Sequence, residues 1–308
     1  MDKVQQTQEK EQQWLIETVI KPQLPQLLET LVVCSEQLTS KTPVKLPITS
    51  ARTEHIKGVL TRVGLDIADM QIVLDMPSLG KRIGLQLRRK VILQQLQRLL
   101  DLIEQLTQDV IYLQHHLENH LEVGAFHEKL HSILQVLIQC NNIINKPGED
   151  LLFPKHYVKL SEVFESPINI DDYQDKITID FFLLNGELSI ECKSLHKITH
   201  PPWNTVTNGN SHIDQMRDDL KHHKTTVNEI IDKYSDTSLT LKHALGFHKF
   251  NINDYLTRGV TFHDIVVIEL ENSLVHCQDP NLLSISTKIK WLEHQVSKMY
   301  KNLNITLI

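Results

Sequence analysis

Apolar side chains at Leu93, Leu96, Leu100, Ile103, Leu106, Val110, Leu113, Leu117 and Leu121 recur at gaps of three and four. That interval stacks side chains on one face of an α-helix. Gln94, Gln95, Gln97, Asp101, Glu104, Gln108 and Gln114 fill the opposite face. The spacing predicts one long helix over 93–121 whose greasy seam must be buried. Glu122–Gly124 breaks it. A partner helix is predicted over Ala125–Asn145, with Phe126, Leu130, Ile133, Leu134, Leu137 and Ile144 on one face and Lys146-Pro147-Gly148 as its stop. A short break between two such helices predicts an antiparallel helical hairpin. The same rhythm occupies both ends of the chain. Gln12–Leu38 carries Trp14, Leu15, Thr18 and Val19, then Leu24, Leu27, Leu28, Leu31 and Leu38, with a kink expected at Pro22 and Pro25. The last stripe is Leu282, Ile285, Ile289, Leu292, Val296, Met299 and Leu303, started by Asp279 or Pro280.

Between these stripes the period changes to two. His55–Val63, the Met70, Ile72, Leu74 segment ended by Pro77, and Arg82–Leu87 read as an antiparallel meander. Residues 39–52, with Pro43, Pro47 and several Ser and Thr, read as a linker. Ile177–Leu195 reads as a hairpin, because Asn185-Gly186 tolerates the positive φ angles of a two-residue type I′ turn. From His196 to about Gly259 the chain is polar and histidine-rich, with a helix expected over Ile213–Tyr234 and the rest mobile. Val260–Leu270 returns to strand character.

The fold class is therefore α+β. Segments 1–40, 91–146 and 280–308 are expected to form a discontinuous antiparallel helical bundle. Segments 53–90, 151–195 and 259–275 are expected to form a separate antiparallel β domain whose two strand blocks share one sheet. Residues 196–258 form a polar insertion, partly helical or disordered.

Composition narrows function more than fold. The 308 residues carry a net charge of -6, which gives no basis for a nucleic-acid track. The run Arg88-Arg89-Lys90 reads as a solvated strand end. Four cysteines, Cys34, Cys140, Cys192 and Cys277, are too far apart for a CxxC pattern. Cys140 and Cys192 read as small buried hydrophobes, which fits a reducing compartment. The N-terminus MDKVQQTQEKEQQ lacks the apolar stretch of a signal peptide, and no apolar run approaches the ~20 residues that cross a bilayer. A cytoplasmic protein with at most peripheral membrane contact is expected.

Two residue sets could carry chemistry. His127-Glu128-Lys129-Leu130-His131 matches HExxH, which on a helix puts two histidines on one face for zinc and a glutamate beside them to activate water. The extended His-x-x-Gly-x-x-His pattern is absent, and Glu149 and Glu162, the possible third ligands, stand in no recognisable motif. With 17 histidines in the chain, chance is the preferred reading, and the pair is placed at the solvated edge of its helix. Asp180, Glu191 and Lys193 form the second set. If Asn185-Gly186 is the turn, Asp180 lies opposite Glu191 with Lys193 on the diagonal. Such a D…ExK set can hold magnesium with two carboxylates and steady a water with the lysine. The simpler reading is a wet face opposite an apolar one. No GxGxxG, GxxxxGK[ST] or GxSxG run occurs. The histidines at 196, 200, 212, 222, 223, 243, 248 and 263 could bind metal or titrate near neutrality, and their irregular spacing favours neither. Trp203 is either a partner anchor or packs back on its own domain. No catalytic, cofactor-binding or metal-binding residue is assigned, and no cofactor is expected.

The pieces Glu11-Gln12-Gln13-Trp14-Leu15, His55-Ile56-Lys57-Gly58-Val59-Leu60-Thr61, Ala68-Asp69-Met70 through Leu74-Asp75-Met76-Pro77, and Leu96 to Leu113 follow one another in a familiar order. With the helix after Gly124-Ala125 and the hairpin at Asn185-Gly186, the chain resembles the Rogdi family over most of its length, except for about 196–258. The resemblance implies an elongated protein with a helical bundle and a separate β domain, without enzymatic activity. It also implies a place in the RAVE complex, the regulator of the ATPase of vacuoles and endosomes. There it would promote reassembly of the peripheral and membrane sectors of the V-ATPase and so support vacuolar acidification. The partners implied are the large propeller-bearing RAVE subunit, a Skp-type adaptor and peripheral-sector subunits. The place implied is the cytoplasm, with transient recruitment to vacuolar or endosomal membranes.

Overall fold

The computed structural model describes residues 3–49, 55–118, 123–166, 169–234, 250–262 and 264–305. Helix α1 (Lys3–Leu15) runs through a π turn at Ile16–Ile20 and a 3-10 turn at Lys21–Gln23 into α2 (Leu24–Thr39). The irregularity falls where Pro22 and Pro25 each lack a donor to the preceding turn. The inward stripe differs from the expected one: Gln12, Ile16 and Ile20 are buried, whereas Trp14 is 60% exposed. A π turn holds more residues per turn than an α turn, so a spacing of four stays on one face.

Strands β1 (Val44–Thr49), β2 (Ile56–Val63), β3 (Asp66–Leu74), β4 (Ile83–Leu87), β5 (Val91–Ile92) and β6 (Phe164–Glu165) form an antiparallel sheet of order β1-β2-β3-β4-β6, with β5 on β3. The meander is as expected. Strand β1 stands where the composition of 39–52 predicts a linker. Leu46 and Ile48 alternate inward, and Pro47 is tolerated because β1 pairs on one side only, with β2.

Helices α3 (Gln94–Glu118) and α4 (Val123–Asn145) follow, then the short α5 (Leu160–Val163). Of the predicted break at Glu122–Gly124, Glu122 lies outside the described residues, whereas Val123 and Gly124 open the first turn of α4. Strands β7 (Ile177–Leu184) and β8 (Glu187–Lys197) form the expected hairpin, with φ of 52° at Asn185 and 80° at Gly186. Beyond it come β9 (Val206–Thr207), β10 (Asn210–Ser211), α6 (His212–Lys221), α7 (Val227–Tyr234), α8 (Ile252–Arg258), β11 (Gly259–Phe262), β12 (Ile265–Cys277) and α9 (Pro280–Ile305). Asp279 starts α9 as expected, accepting the backbone N–H of Asn281 at 2.8 Å.

The fold is mixed α+β, but its two strand blocks do not share one sheet. Strands β11-β12-β8-β7 make a second antiparallel sheet. The Gln95 side chain on α3 bonds the backbone of β7 at Leu183. It accepts the Leu183 N–H at 2.7 Å and donates to the Leu183 carbonyl at 3.1 Å, closing that part of the β7 edge to another strand.

Helix α9 lies against α4 and α2, and α3 lies against α2 and α4. Their seams join the inner face of the first sheet and the Ile177, Ile179, Leu188, Ile190 face of the second in one hydrophobic cluster. The described part of 196–258 carries its own apolar cluster, built on Ile198, Trp203, Ile213, Ile230, Phe250 and Tyr255 against Val266 and Ile268 of β12. Polarity of the segment masked this spacing in the sequence.

Candidate functional site

The helical seam expected to be buried is packed inside the chain at its described positions; the Leu117 side chain and Leu121 lie outside the described residues. Leu93, Leu96, Leu100, Ile103, Leu106, Val110 and Leu113 are all buried. Among the described residues of α3, the large apolar side chains left exposed are Ile111 and Tyr112. A zipper with a second chain through the buried stripe would require the stripe to leave α2 and α4.

The HExxH histidines serve packing between helices. His127 stacks on the ring of Tyr300 at 4.7 Å and His131 tilts against the same ring at 5.0 Å. Glu128 points to solvent. His127 is therefore half-buried rather than at a wet edge, because α9 brings Tyr300 over it, a neighbour the α4 pattern cannot reveal. Among the described residues, no group of three or more His, Cys, Asp or Glu is placed to hold a metal ion.

The D…ExK set is brought together in the expected register: Asp180 pairs with Glu191, and Thr178 pairs with Lys193. Its surroundings differ from the expected wet face. Asp180 is 1% exposed, because residues 149–157 cross over it. One Asp180 oxygen accepts the Phe153 N–H at 2.9 Å, and His156 Nδ1 lies 3.0 Å from the other. Glu191 accepts Asn272 Nδ2 at 2.7 Å and lies 3.5 Å from Lys193 Nζ. Lys193 is also 3.4 Å from Glu269 and 5.7 Å above the Phe153 ring. Each group that could grip a cation or steady a water is already engaged within the fold. The covering residues gave no sequence signal, since Phe153 acts through its backbone.

Thiol chemistry is equally shut away. All four cysteines are buried. Burial pushes the Cys34 thiol up to about 11 and those of Cys140 and Cys277 up to about 12, and raises Cys192 as well. Thiols held protonated in this way are poor nucleophiles.

Trp203 packs back on its own domain. It is 1% exposed and meets the rings of His212, Tyr234 and Tyr255. His212 Nε2 lies 3.0 Å from the Tyr234 hydroxyl. Burial, with the nearby Lys233 charge, holds the His212 pKa below its usual 6.5. A depressed histidine pKa means the folded state resists the proton that the unfolded chain accepts. Stability is unaffected while both states are neutral, and it falls as pH drops through 6.5 towards the folded value. The expected result is a loosening of this cluster between pH 7 and pH 5, read as a fluorescence change that His212→Gln reduces. His196 faces the Phe250 ring, and His243, His248 and His263 lie outside the described residues.

No helix among the described residues is long and apolar enough to cross a membrane. Residues 11–304 match the family described as Rogdi leucine zipper containing protein. The chain is 27% identical over 329 aligned positions to the "Regulator of V-ATPase in vacuolar membrane protein 2" of Saccharomyces cerevisiae, covering 96% of this chain and 90% of that protein.

Proposed function

The chain belongs to the Rogdi leucine zipper family, and from that premise we propose that it is a non-enzymatic V-ATPase regulator. In this reading it acts as a RAVE subunit that promotes reassembly of the peripheral and membrane sectors of the pump. The observation that carries the reading is the near full-length likeness to the yeast V-ATPase regulator. The locked D…ExK set and the buried thiols support it, since neither offers a free reactive group. Helices α2, α3, α4 and α9 are proposed to be one discontinuous antiparallel bundle from 1–40, 91–146 and 280–308, in support of which each lies against two of the others. The strand segments are proposed as the second unit, and 196–258 as an insertion with its own cluster. The partners in this proposal are the large propeller-bearing RAVE subunit, a Skp-type adaptor and peripheral-sector subunits, met in the cytoplasm and at vacuolar or endosomal membranes.

Affinity capture of the full chain from its native cells, followed by mass spectrometry, is the test. Recovery of the large RAVE subunit together with peripheral V-ATPase subunits is expected. Recovery of neither overturns the proposal.

A further inference from the structure

The outer face of the first sheet presents two apolar side chains to solvent. Its inner face, through Ile56, Leu60, Met70, Ile72, Ile83 and Leu85, is buried under the helices. On the other face Val59 and Val73 are 48% and 43% exposed. They flank a shallow trough of about 610 Å³ running over β2, β3, β4 and β6. The cross-strand register defines its floor. One row reads Val59, Gln71, Gln86, Glu165, and the next reads Lys57, Val73, Gly84.

Gly84 is the residue that needs explaining. A glycine inside a strand weakens it, and it commonly marks a bulge or the close approach of another group. Neither crowding nor conformation requires one here. Gly84 pairs in regular register with Val73, its φ is not in the left-handed region, and a Cβ added to it would meet nothing within 4 Å. The missing side chain leaves open space above the backbone beside Val73, where the Gly84 carbonyl accepts the Ser166 hydroxyl at 2.7 Å.

The charges around the trough indicate what fits it. Lys57 lines it on β2, whereas Glu165 lines it on β6. Gln71 and Gln86 between them are uncharged. At ~4.8 Å per strand, β2 and β6 are about 14 Å apart. An α-helix with its side chains is about 10–12 Å across. A helix laid along the strands therefore spans the trough with one flank beside Lys57 and the other beside Glu165.

We propose that this trough receives an amphipathic helix of a protein partner. Its apolar ridge would rest on Val59, Val73 and the backbone of Gly84, its acidic flank towards Lys57, its basic flank towards Glu165. The partner's identity rests on the proposed function; the trough itself does not.

The test uses the full chain co-expressed with the large RAVE subunit, as wild type and as Gly84→Val, Val73→Asp and, for a control remote from the trough, Ile111→Asp. Gly84→Val is expected to melt about 2–4 °C higher, because valine suits a strand better than glycine, and yet to reduce capture about tenfold or more. Val73→Asp reduces capture to a similar extent, and Ile111→Asp leaves it intact. A photoreactive side chain at position 86 then identifies the bound segment, expected to have apolar residues at three-four spacing flanked by acid and base. Full capture by folded Gly84→Val and Val73→Asp overturns the trough and leaves the proposed function standing. Failure of the wild type to capture the subunit overturns the partner for both. A crosslink to a second copy of this chain, or to a segment without the apolar ridge, overturns the helix.

Discussion

Asp279→Ala is expected to destabilise the fold by about 3–5 kcal/mol, the usual cost of stripping one partner from a buried ion pair. Arg62 on β2 and Asp279 ahead of α9 meet at 2.6 Å with side chains 1% and 0% exposed. The guanidinium also donates to the Gly64 carbonyl. Removing the carboxylate leaves a buried cation without its counter-charge. It also removes the acceptor for the Asn281 and Leu282 N–H groups that start α9, a loss of about 1 kcal/mol by itself. Asp279→Asn retains a cap and lies between. Arg62→Met combined with Asp279→Ser is expected to be milder than Asp279→Ala, because no charge stays buried and serine still caps the helix. Urea denaturation followed by far-UV circular dichroism ranks the variants. A double variant no more stable than Asp279→Ala would show that the pair acts through shape rather than charge.

That ion pair also marks where sequence legibility ends. Local periodicity placed α3, α4, α9, the meander and the hairpin, because each is set by residues within a few positions of one another. The Asn185-Gly186 turn even fixed the register that puts Asp180 opposite Glu191. Burial of that pair was not legible, since the segment that covers Asp180 has no period and bonds through a backbone N–H. Arg62 occupies an inward strand position, yet its partner stands 217 residues away, and no local pattern carries such a pairing. Strand β1 is the opposite case. Its Val44, Leu46, Ile48 alternation is present in the sequence, but Pro47 reads as a breaker there, whereas an edge strand accepts it. The HExxH match shows the same limit from the side of function: its two histidines are explained by Tyr300, which reaches them only through helix packing.

Gly186→Val is the second substitution expected to have a large effect, about 2–4 kcal/mol, through two separable causes. Gly186 has a φ of 80°, a conformation that costs an L-residue roughly 1–2 kcal/mol and a β-branched one more. A Cβ added there would come within 3.0 Å of the Ser286 side chain on α9. The turn cannot move away freely, because it is tied to the end of α4: Asn185 donates to the Asn145 carbonyl at 3.2 Å and Gly186 to the Ile144 carbonyl at 3.1 Å. These bonds satisfy carbonyls that a helix leaves open at its C-terminus. The hairpin of the second sheet thus serves as the cap of α4 and as a neighbour of α9 at once, so a strained turn disturbs three elements. Gly186→Ala carries the conformational cost with a smaller steric one and is expected to lose less. Ser286→Gly makes room at α9 and is expected to recover part of the Gly186→Val loss, leaving the backbone cost in place. Thermal melts of the two single variants and the double variant measure the coupling. Complete recovery would assign the glycine to crowding alone. No recovery would assign it to the left-handed backbone, and with it to the turn that joins the sheet to the helices.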